Sequence, residues 1–319
     1  MEPRTSNGAI LITGAGGFAG SHLTQHLSRT CEVEGWARSM PPPDVAGAGR
    51  WRRVDLLDRE AVRAAVRALR PAQVYHCAGM PHVARSWGNT TLPLASNVLA
   101  THHLFDALRR EEMPCRVLVP GSAAIYAASS EPITEDHPIG PASPYALSKL
   151  AQEQLSLRAG PEDGIEVVLT RSFNHTGPRQ TPEFVAPSMA RQIALIEQGR
   201  LEPVIRVGNL DAQRDFTDVR DVVRAYAALM DAAPPAVIFN VASGVGRTMR
   251  SLLDALIARA RVQVRVELDP ARLRPSDVPI IVGDATRLRR AIGWEPAISF
   301  DQMLDDLLEY WRRQVVDRG

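Results

Sequence analysis

Near its start, at residues 9–20, the chain reads AILITGAGGFAG. The β-branched run before the glycines predicts a buried strand, and the residues that follow are typical of a helix. Gly14, Gly17 and Gly20 have the spacing GxxGxxG, which lets the backbone approach a pyrophosphate at the helix N-terminus. We therefore expect a strand–turn–helix unit that binds a dinucleotide, with Phe18 in the same turn as a further contact.

The ends of the next two predicted strands supply candidate contacts for the adenosine half of such a dinucleotide. An acidic residue after the second strand would bind the ribose hydroxyls, but Arg38 lies there, and an arginine can pair with a 2′-phosphate. Arg38 therefore favours NADP(H) over NAD(H), with a solvated arginine at a strand end as the alternative interpretation. At the end of the third predicted strand, Asp55 is placed to meet the adenine amino group and Leu56 to cover the adenine face.

The fourth predicted strand ends in the small residues Ala78 and Gly79, which allow a cofactor to approach closely. The loop that follows, residues 81–87, places polar and aromatic groups at the carboxyl edge of the sheet. Loops in this position hold substrates. Arg85 and Ser86 are the candidate substrate contacts in this loop.

A long helix is predicted over residues 92–110. If Leu94, Val98 and Leu104 mark its buried stripe, Asn97 faces inward. Asn97 is therefore a further candidate contact for the cofactor.

The residues suited to catalysis lie between positions 121 and 149. Ser122 follows a β-like run, so its hydroxyl should lie where a parallel strand ends and open α/β sheets bind ligands. Tyr145 and Lys149 are four residues apart, which puts the phenol and the ammonium on one face of a helix. A neighbouring cation lowers the tyrosine pKa from about 10, so that the tyrosine can act as an acid or base. Alone such a pair is more often solvated surface, but downstream of the glycine turn it makes these three residues the candidate catalytic group.

The composition is that of an ordinary globular chain and argues against several kinds of partner. The 319 residues are 45% apolar and 23% charged, with a net charge of +1. The arginines are scattered, so neither nucleic acid nor an anionic membrane is expected as a partner, and no run of apolar residues is long enough for a membrane span. Cys31, Cys77 and Cys115 lack metal-ligand or disulfide spacing, which predicts buried thiols, no metal site and a reducing, cytoplasmic location.

Together these motifs resemble the extended short-chain dehydrogenase/reductase family, in its nucleotide-sugar-modifying group. The resemblance covers nearly the whole chain and rests on GxxGxxG, on Ser122, on Tyr145-x-x-x-Lys149 and on residues 171–178, RSFNHTGP. Within this group, residues 207–221 (VGNLDAQRDFTDVRD) and 273–279 (LRPSDVP) are most similar to the GDP-6-deoxy-D-mannose reductases.

The pattern and the resemblance predict a Rossmann-type α/β fold, in which a doubly wound parallel sheet carries a smaller, interleaved C-terminal substrate lobe. Residues 1–172 would form the dinucleotide-binding domain, with later segments near 204–241 returning to it. Residues 173–319 would mainly form the nucleotide-sugar-binding lobe. The resemblance also implies a homodimer packed through the helices at 92–110 and 143–158.

The resemblance implies a reaction as well. NADPH would deliver a hydride to C4 of a GDP-linked 4-keto-6-deoxy sugar, and Tyr145 would protonate the developing alkoxide. Ser122 would hydrogen-bond that oxygen, while Lys149 would lower the Tyr145 pKa and hold the nicotinamide ribose. Further residues would bind the nucleotide diphosphate part of the substrate: Asn174, Arg214, Arg274, the backbone of Phe184 and Val185, and Asn209.

Three alternatives to this reaction remain open. GDP-mannose 4,6-dehydratases share the framework, but their elimination uses a glutamate two residues after the catalytic Ser or Thr, and here that residue is Ala124, preceded by Ala123. A nucleotide-sugar 4-epimerase would retain its cofactor and return the hydride to the other face of the sugar. A non-catalytic dinucleotide-binding sensor would usually have a broken Ser-Tyr-Lys set, and this set is intact. We therefore expect simple carbonyl reduction.

Overall fold

The computed structural model describes residues 8–272 and 278–316. Its strands are β1 (Ile10–Thr13), β2 (Val33–Ala37), β3 (Arg50–Arg53), β4 (Gln73–His76), β5 (Arg116–Ser122), β6 (Glu166–Ser172), β7 (Asn174–Thr176), β8 (Val204–Val207), β9 (Gln213–Asp218), β10 (Ile238–Val241), β11 (Gly246–Thr248), β12 (Arg265–Leu268) and β13 (Ile280–Ile281). Its helices are α1 (Phe18–Leu27), α2 (Arg59–Leu69), α3 (Val83–Gly88), α4 (Thr91–Pro93), α5 (Ala100–Arg110), α6 (Pro144–Asp163), α7 (Val185–Glu197), α8 (Val219–Ala232), α9 (Met249–Ile257), α10 (Thr286–Ile292) and α11 (Phe300–Val316).

Seven strands form one parallel sheet in the order β10-β6-β5-β4-β1-β2-β3. The chain starts in β1, adds β2 and β3 on one side, and then crosses back to add β4, β5 and β6 on the other. The carboxyl ends of β1 and β4 flank the point where this order reverses, which is where open α/β sheets bind ligands. The predicted fold class is confirmed.

Both faces of the large sheet are buried, which explains why its strands read as continuous apolar runs. Ile10 and Ile12 point to one face, where they share a cluster with Leu23 of α1 and with side chains of α8. Leu11 points to the other face and shares a cluster with Leu104 of α5 and with side chains of α2. Because helices cover both faces, β1 and the turn that follows it are held in a fixed position.

The residues after β6 build a smaller lobe around its own apolar cluster, which α7, α9 and α11 share. Next to it lie the sheet β11-β9-β13, with β7 beside β9, and the pair β8-β12. The two lobes interleave because β10 returns to the large sheet beside β6. The other strand expected to return, β8, does not, since its partner is β12 in a separate sheet.

A buried ion pair attaches α6 to β6. Arg171 Nη2 lies 2.7 Å from Glu153 Oε1, and Arg171 Nε lies 2.9 Å from Glu153 Oε2. The two side chains are only 6% and 2% exposed. Arg171 Nη1 also donates to Tyr126 Oη at 3.0 Å and to the Glu135 carbonyl oxygen at 2.9 Å, so four of the five guanidinium N–H groups are hydrogen-bonded. This bidentate pair fixes the helix that carries Tyr145 and Lys149.

The long helix predicted over 92–110 is present but irregular. A π-helical segment, Leu94–Leu99, joins α4 to α5. Because a π-helical turn holds an extra residue, it rotates the faces before and after it relative to a regular helix. Leu94, expected in the buried stripe, is therefore 44% exposed, whereas Asn97 and Leu104 are fully buried.

All three cysteines are free thiols, and they differ in exposure. Cys115 is buried and Cys77 is partly buried, but Cys31 is exposed in the turn between α1 and β2. The prediction of three buried thiols is wrong for Cys31. This residue lies in the turn outside the buried strand β2, which begins only at Val33. In the two described ranges, none of the helices has the length and apolar character needed to cross a membrane.

Candidate active site

The glycine turn after β1 forms an open cradle at the N-terminus of α1. Gly14 has a φ of +64°, in the left-handed region, and a Cβ there would lie 2.6 Å from the backbone of Ala78. A Cβ on Gly20 would collide with the Gly14 carbonyl oxygen. The Gly17 N–H donates to that same oxygen at 2.9 Å, and α1 begins at Phe18 without a side-chain cap. Because glycines surround the N-terminus of α1, no side chains cover its backbone N–H groups, and such a helix start suits a phosphate group.

Phe18 connects this turn to the second lobe. Its ring stacks on the His175 ring with centroids 5.8 Å apart and meets the His22 ring edge-on at 5.7 Å. Burial lowers the pKa of His22 to about 4, so the imidazole is neutral and its Nε2 donates to the Pro178 carbonyl oxygen at 2.9 Å. Phe18, predicted as a cofactor contact, thus packs between His22 and His175. The contacts of these two histidines join the two lobes beside the glycine cradle.

Two arginines without ion-pair partners among the described residues lie at the outer end of the sheet. Arg38 is exposed directly after β2. Arg53, at the end of β3, is also exposed and pairs in strand register with Ala37, the residue before Arg38. Sequence reasoning missed Arg53, because only the β2–β3 register places it beside Arg38. Two free cations at this point suit a phosphate on the adenosine ribose.

The predicted adenine contacts lie beyond β3, which ends at Arg53 rather than at residue 56. Asp55 is exposed, and its Oδ1 accepts from the Leu57 N–H at 3.0 Å. The Leu56 side chain is only 8% exposed and belongs to the apolar cluster beneath the sheet. The Leu56 side chain thus packs in the core, and its contact with an adenine face stays a prediction.

Ser122, Tyr145 and Lys149 come together at the carboxyl end of β5. Ser122 is the last residue of β5, and its Oγ accepts from the Ala124 N–H at 3.2 Å. Helix α6 begins at Pro144, where the Ser143 side chain caps it by accepting from the Ala146 N–H at 3.1 Å. This start puts Tyr145 in the first turn and Lys149 one turn later. The Ser122 side chain lies close enough to the Tyr145 phenol to lower its pKa.

Burial dominates the ionisation of both groups on α6. It raises the pKa of Tyr145, and the interaction with Ser122 opposes this by lowering it. Burial lowers the pKa of Lys149 to about 8, against the charges of Cys77 and Glu153, which raise it. The expected lowering of the Tyr145 pKa by Lys149 is not found in this structure, because the ammonium is bonded to the Pro120 carbonyl oxygen at 2.6 Å and to Gln152.

Asn97, predicted to contact the cofactor, is bonded to protein. Its Oδ1 accepts from the Met80 N–H at 2.8 Å, and its Nδ2 donates to the Met80 carbonyl oxygen at 3.3 Å and to Ser148 Oγ at 2.9 Å. A Cβ on Gly79 would lie 2.6 Å from Asn97 Oδ1. In this structure Asn97 therefore supports the small residues Ala78 and Gly79, and its contact with the cofactor stays a prediction.

Ser86, predicted as a substrate contact, is likewise bonded to protein. The side chain is fully buried, its hydroxyl donates to the Val83 carbonyl oxygen at 2.6 Å, and it accepts from the Tyr145 backbone N–H at 3.2 Å. The first N–H groups of a helix need acceptors, and Ser86 supplies one to α6. It therefore supports the turn that carries Tyr145. Its contact with substrate stays a prediction.

A clasp of four side chains joins the 81–87 loop to the start of α7. Arg85 Nη2 lies 2.7 Å from Glu183 Oε1, and the two side chains are 61% and 40% exposed. Next to this pair, the rings of His82 and Phe184 stack at 4.7 Å. Arg85, predicted to bind substrate, is thus paired with protein. Val185, the first residue of α7, is 37% exposed, so this helix N-terminus lies at the surface beside the clasp.

The remaining predicted substrate residues lie on the second lobe. Asn174 is exposed at the start of β7 and pairs in register with Phe216 of β9. Arg214, on β9, donates to the Gln213 carbonyl oxygen at 2.8 Å. Asn209 is exposed, and its Oδ1 accepts from the Asp211 N–H at 2.9 Å. Arg274 lies outside the described residues.

This arrangement suits proton transfer to a carbonyl oxygen beside a dinucleotide. A phenol and a serine hydroxyl converge at the carboxyl end of β5, the strand next to β4. A buried lysine lies one turn away on the same helix face. The described part of the chain has no cluster of three or more His, Cys, Asp or Glu side chains placed to hold a metal ion. Tyr145 can donate a proton while Ser122 hydrogen-bonds the same oxygen.

Comparison with known proteins gives matches along nearly the whole chain. The family model described as GDP-mannose 4,6 dehydratase matches residues 11–307. A GDP-6-deoxy-D-mannose reductase from Pseudomonas aeruginosa is 35% identical over 96% of this chain and 98% of its own. Among solved structures, RMD from Pseudomonas aeruginosa complexed with NADPH has a TM-score of 0.85 at 32% identity, covering 97% of this chain and 100% of the other.

A second solved structure has the same fold with a different cofactor. The UDP-glucose 4-epimerase of Thermus thermophilus, in complex with NAD, has a TM-score of 0.86 at 29% identity. It covers 95% of this chain and 99% of its own. The fold is therefore shared between a reductase and an epimerase, and the residues of the site must decide between such activities.

Proposed function

We propose that this chain reduces the C4 keto group of a GDP-linked 4-keto-6-deoxy sugar with NADPH. The chain belongs to the family described as GDP-mannose 4,6 dehydratase, and with it to the extended short-chain dehydrogenases/reductases. The product would be a GDP-6-deoxy-hexose such as GDP-rhamnose. One observation carries the proposal. Ser122 and Tyr145 converge at the carboxyl end of β5, and the residue two positions after Ser122 is Ala124, so the glutamate of the dehydratases is missing there.

The residues of the cradle fit an NADP(H) dinucleotide. Gly14, Gly17 and Gly20 leave room for a pyrophosphate at the N-terminus of α1, and a Cβ on any of them would meet backbone atoms. Arg38 and Arg53 are exposed at the ends of β2 and β3 and would bind the 2′-phosphate that distinguishes NADP(H) from NAD(H). When bound, NADPH supplies the hydride for the sugar carbon.

The protein side of the reaction is proton transfer and charge stabilisation. Tyr145 donates its phenolic proton to the C4 oxygen as negative charge develops there. Ser122 donates a hydrogen bond to the same oxygen. Lys149 holds the nicotinamide ribose through its ammonium group.

The nucleotide diphosphate would bind on the second lobe. The N-terminus of α7, at Phe184 and Val185, presents backbone N–H groups and the positive end of the helix dipole. Asn174 is exposed at the start of β7, ten residues before Phe184 in the sequence. Arg214 lies on β9, the strand that pairs with β7. Arg274 completes the proposed set as a second guanidinium for the phosphates.

We also propose a cytoplasmic homodimer. Leu92, Leu94, Leu99 and Leu147 are between 42% and 53% exposed on the α4–α5 and α6 helices, which are the helices expected at the dimer interface. Several large exposed apolar residues on neighbouring helices are typical of a protein–protein contact. Three free thiols suit a reducing compartment. Sedimentation equilibrium tests the dimer: Leu94→Asp with Leu147→Asp should give monomers, and an unchanged mass would contradict this interface.

The test of the reaction follows absorbance at the NADPH band. GDP-4-keto-6-deoxy-mannose should cause rapid loss of absorbance, and GDP-mannose alone should cause none. Loss of GDP-mannose with appearance of a 4-keto product would identify a dehydratase instead. Interconversion of two nucleotide sugars without net NADPH consumption would identify an epimerase.

A further inference from the structure

A chain of buried side chains leads from Lys149 into the protein. Lys149 Nζ donates to the Pro120 carbonyl oxygen at 2.6 Å and to Gln152 Oε1. Gln152 Nε2 donates to Thr101 Oγ1 at 2.8 Å, and His76 Nε2 lies 2.8 Å from the same oxygen. Gln152, Thr101 and His76 are at most 1% exposed. Lys149 is thus connected to β4 and α5 through groups that water does not reach.

The donors in this chain determine where its protons lie. Thr101 has one hydroxyl proton, and the Asn97 carbonyl oxygen, 2.6 Å away, receives it. The Thr101 oxygen then only accepts, so His76 and Gln152 must both present N–H groups to it. His76 Nδ1 accepts from the Thr13 hydroxyl at 2.8 Å. His76 is therefore neutral with its proton on Nε2, which agrees with the burial that lowers its pKa to about 3.

This order of protons also determines how the Gln152 amide is turned. Because its Nε2 must face Thr101, its Oε1 must face Lys149. The reversed amide would place N–H groups against the Lys149 ammonium and a carbonyl oxygen against the Thr101 oxygen, which would be unfavourable on both sides. Two of the three ammonium N–H bonds are then held by Pro120 and Gln152, which leaves one for a bound molecule.

We propose that Gln152 is a positioning residue of the reaction, which orients the Lys149 ammonium and stabilises its charged form through a carbonyl oxygen that Thr101 and His76 hold in place. The inference rests on the proposed function, because the role of Lys149 is given there. It adds to that function a residue that touches neither substrate nor cofactor and acts only through Lys149.

Within the described part of the chain, the ionisable groups that act electrostatically on Lys149 are His76 on β4, Cys77 directly after it, and Glu153 on α6. Tyr145 lies one turn earlier on α6, and Arg171 on β6 is the ion-pair partner of Glu153. His76 is neutral, and the Glu153 carboxylate is already paired with Arg171. The pKa of the Cys77 thiol is raised to about 12 by burial, and that of the Tyr145 phenol is also raised. Removing the neutral Gln152 carbonyl therefore makes the charged form of Lys149 less stable, and it leaves the charge of the other groups in the site unchanged.

Two substitutions at Gln152 should change Lys149 in opposite directions. Gln152→Leu removes the acceptor, so the pKa of Lys149 falls. Gln152→Glu adds a carboxylate, to which the Thr101 hydroxyl can turn and donate in place of the Asn97 carbonyl oxygen, so the pKa of Lys149 rises. Because Lys149 acts as a cation, activity is lost as the pH rises through its pKa. The alkaline limb of kcat/KM should move down by about one pH unit in Gln152→Leu and up by about one pH unit in Gln152→Glu. Gln192→Leu, on α7 with its side chain bonded to Ser188, is the control and should leave the limb in place.

NADPH affinity over the same pH range, measured by fluorescence titration, gives a second readout that needs no sugar. Suppose that the alkaline limb of NADPH affinity shifts in opposite directions in the two variants, but the enzyme reduces no keto sugar. This result would contradict the proposed function and support the role of Gln152. Reduction by the unsubstituted enzyme with alkaline limbs that neither substitution moves would overturn this inference and keep the function. If Gln152→Leu does not fold, the upward shift in Gln152→Glu decides the question.

Discussion

The inner part of the site and its outer end differ in how their polar side chains are bonded. Lys149, Asn97 and Ser86 are buried, and each is hydrogen-bonded to other protein groups. Arg38 and Arg53 are exposed and have no ion-pair partner among the described residues. Groups held by the protein can fix the positions of reacting atoms, whereas free cations can only attract a ligand. Changes to the inner groups should therefore alter rate or stability, and changes to the outer ones should alter affinity.

The largest effect is expected from removing the Tyr145 phenol, which also lies in the inner part of the site. Tyr145→Phe removes the proton donor and keeps the ring, so kcat should fall by about 10²–10⁴-fold. Steady-state NADPH oxidation measures this, and NADPH affinity should stay within about twofold because the cradle is untouched. A variant that reduces substrate as fast as the unsubstituted enzyme would contradict the role of Tyr145.

The next effect concerns stability rather than rate. Glu153→Ala leaves Arg171 buried without its carboxylate, which should lower the free energy of unfolding by about 3–5 kcal/mol. Glu162→Ala on the same helix breaks an exposed pair with Arg158, whose side chains are 51% and 52% exposed. It should cost less than about 0.5 kcal/mol. Urea unfolding compares the two variants, and equal losses would mean that burial does not distinguish these pairs.

A smaller effect, confined to affinity, is expected at the outer end. Arg38→Ala and Arg53→Ala should each raise the Kd for NADPH by about tenfold and leave the Kd for NADH unchanged, because only NADPH carries the 2′-phosphate. Arg50→Ala is a matched control at the other end of β3, where Arg50 pairs with Glu32 in an exposed contact. Equal loss of NADH and NADPH binding would show that these arginines do not recognise the phosphate.

The smallest effect is expected at the clasp between the lobes. If Arg85 acts only through Glu183, Arg85→Ala and Glu183→Ala should change the KM for the sugar by the same factor, about two- to fivefold, because an exposed pair contributes little. If Arg85 also binds substrate, Arg85→Ala should raise KM well beyond Glu183→Ala. Initial rates at saturating NADPH separate these cases, and an increase confined to Arg85→Ala would restore the contact predicted from sequence.

The sequence reveals features that depend on local spacing. The glycine turn, the Ser122 position and the Tyr145–Lys149 pair each follow from one strand–turn or one helix, so the fold class and the meeting of these side chains could be predicted. Leu94 was misplaced because the π-helical segment changes the helix period within a few residues. No periodic pattern in the sequence predicts a π-helical segment.

Contacts between distant elements could not be predicted in the same way. Gln152 meets Thr101 across 51 residues, and Ser86 meets the Tyr145 backbone across 59. Arg53 comes beside Arg38 only through the register of β2 and β3. The sequence therefore identifies Asn97 and Ser86 as polar side chains near the site, but it does not show the protein groups that bond them in this structure.

The most direct test follows the hydride itself. The enzyme is incubated with GDP-4-keto-6-deoxy-mannose and NADPH deuterated in the transferable C4 position of the nicotinamide, and the sugar is analysed by mass spectrometry and NMR. We expect a single deuterium at sugar C4, in an amount equal to the NADP⁺ formed. A product without deuterium at C4, or sugar turnover without NADP⁺ formation, would contradict carbonyl reduction by this enzyme.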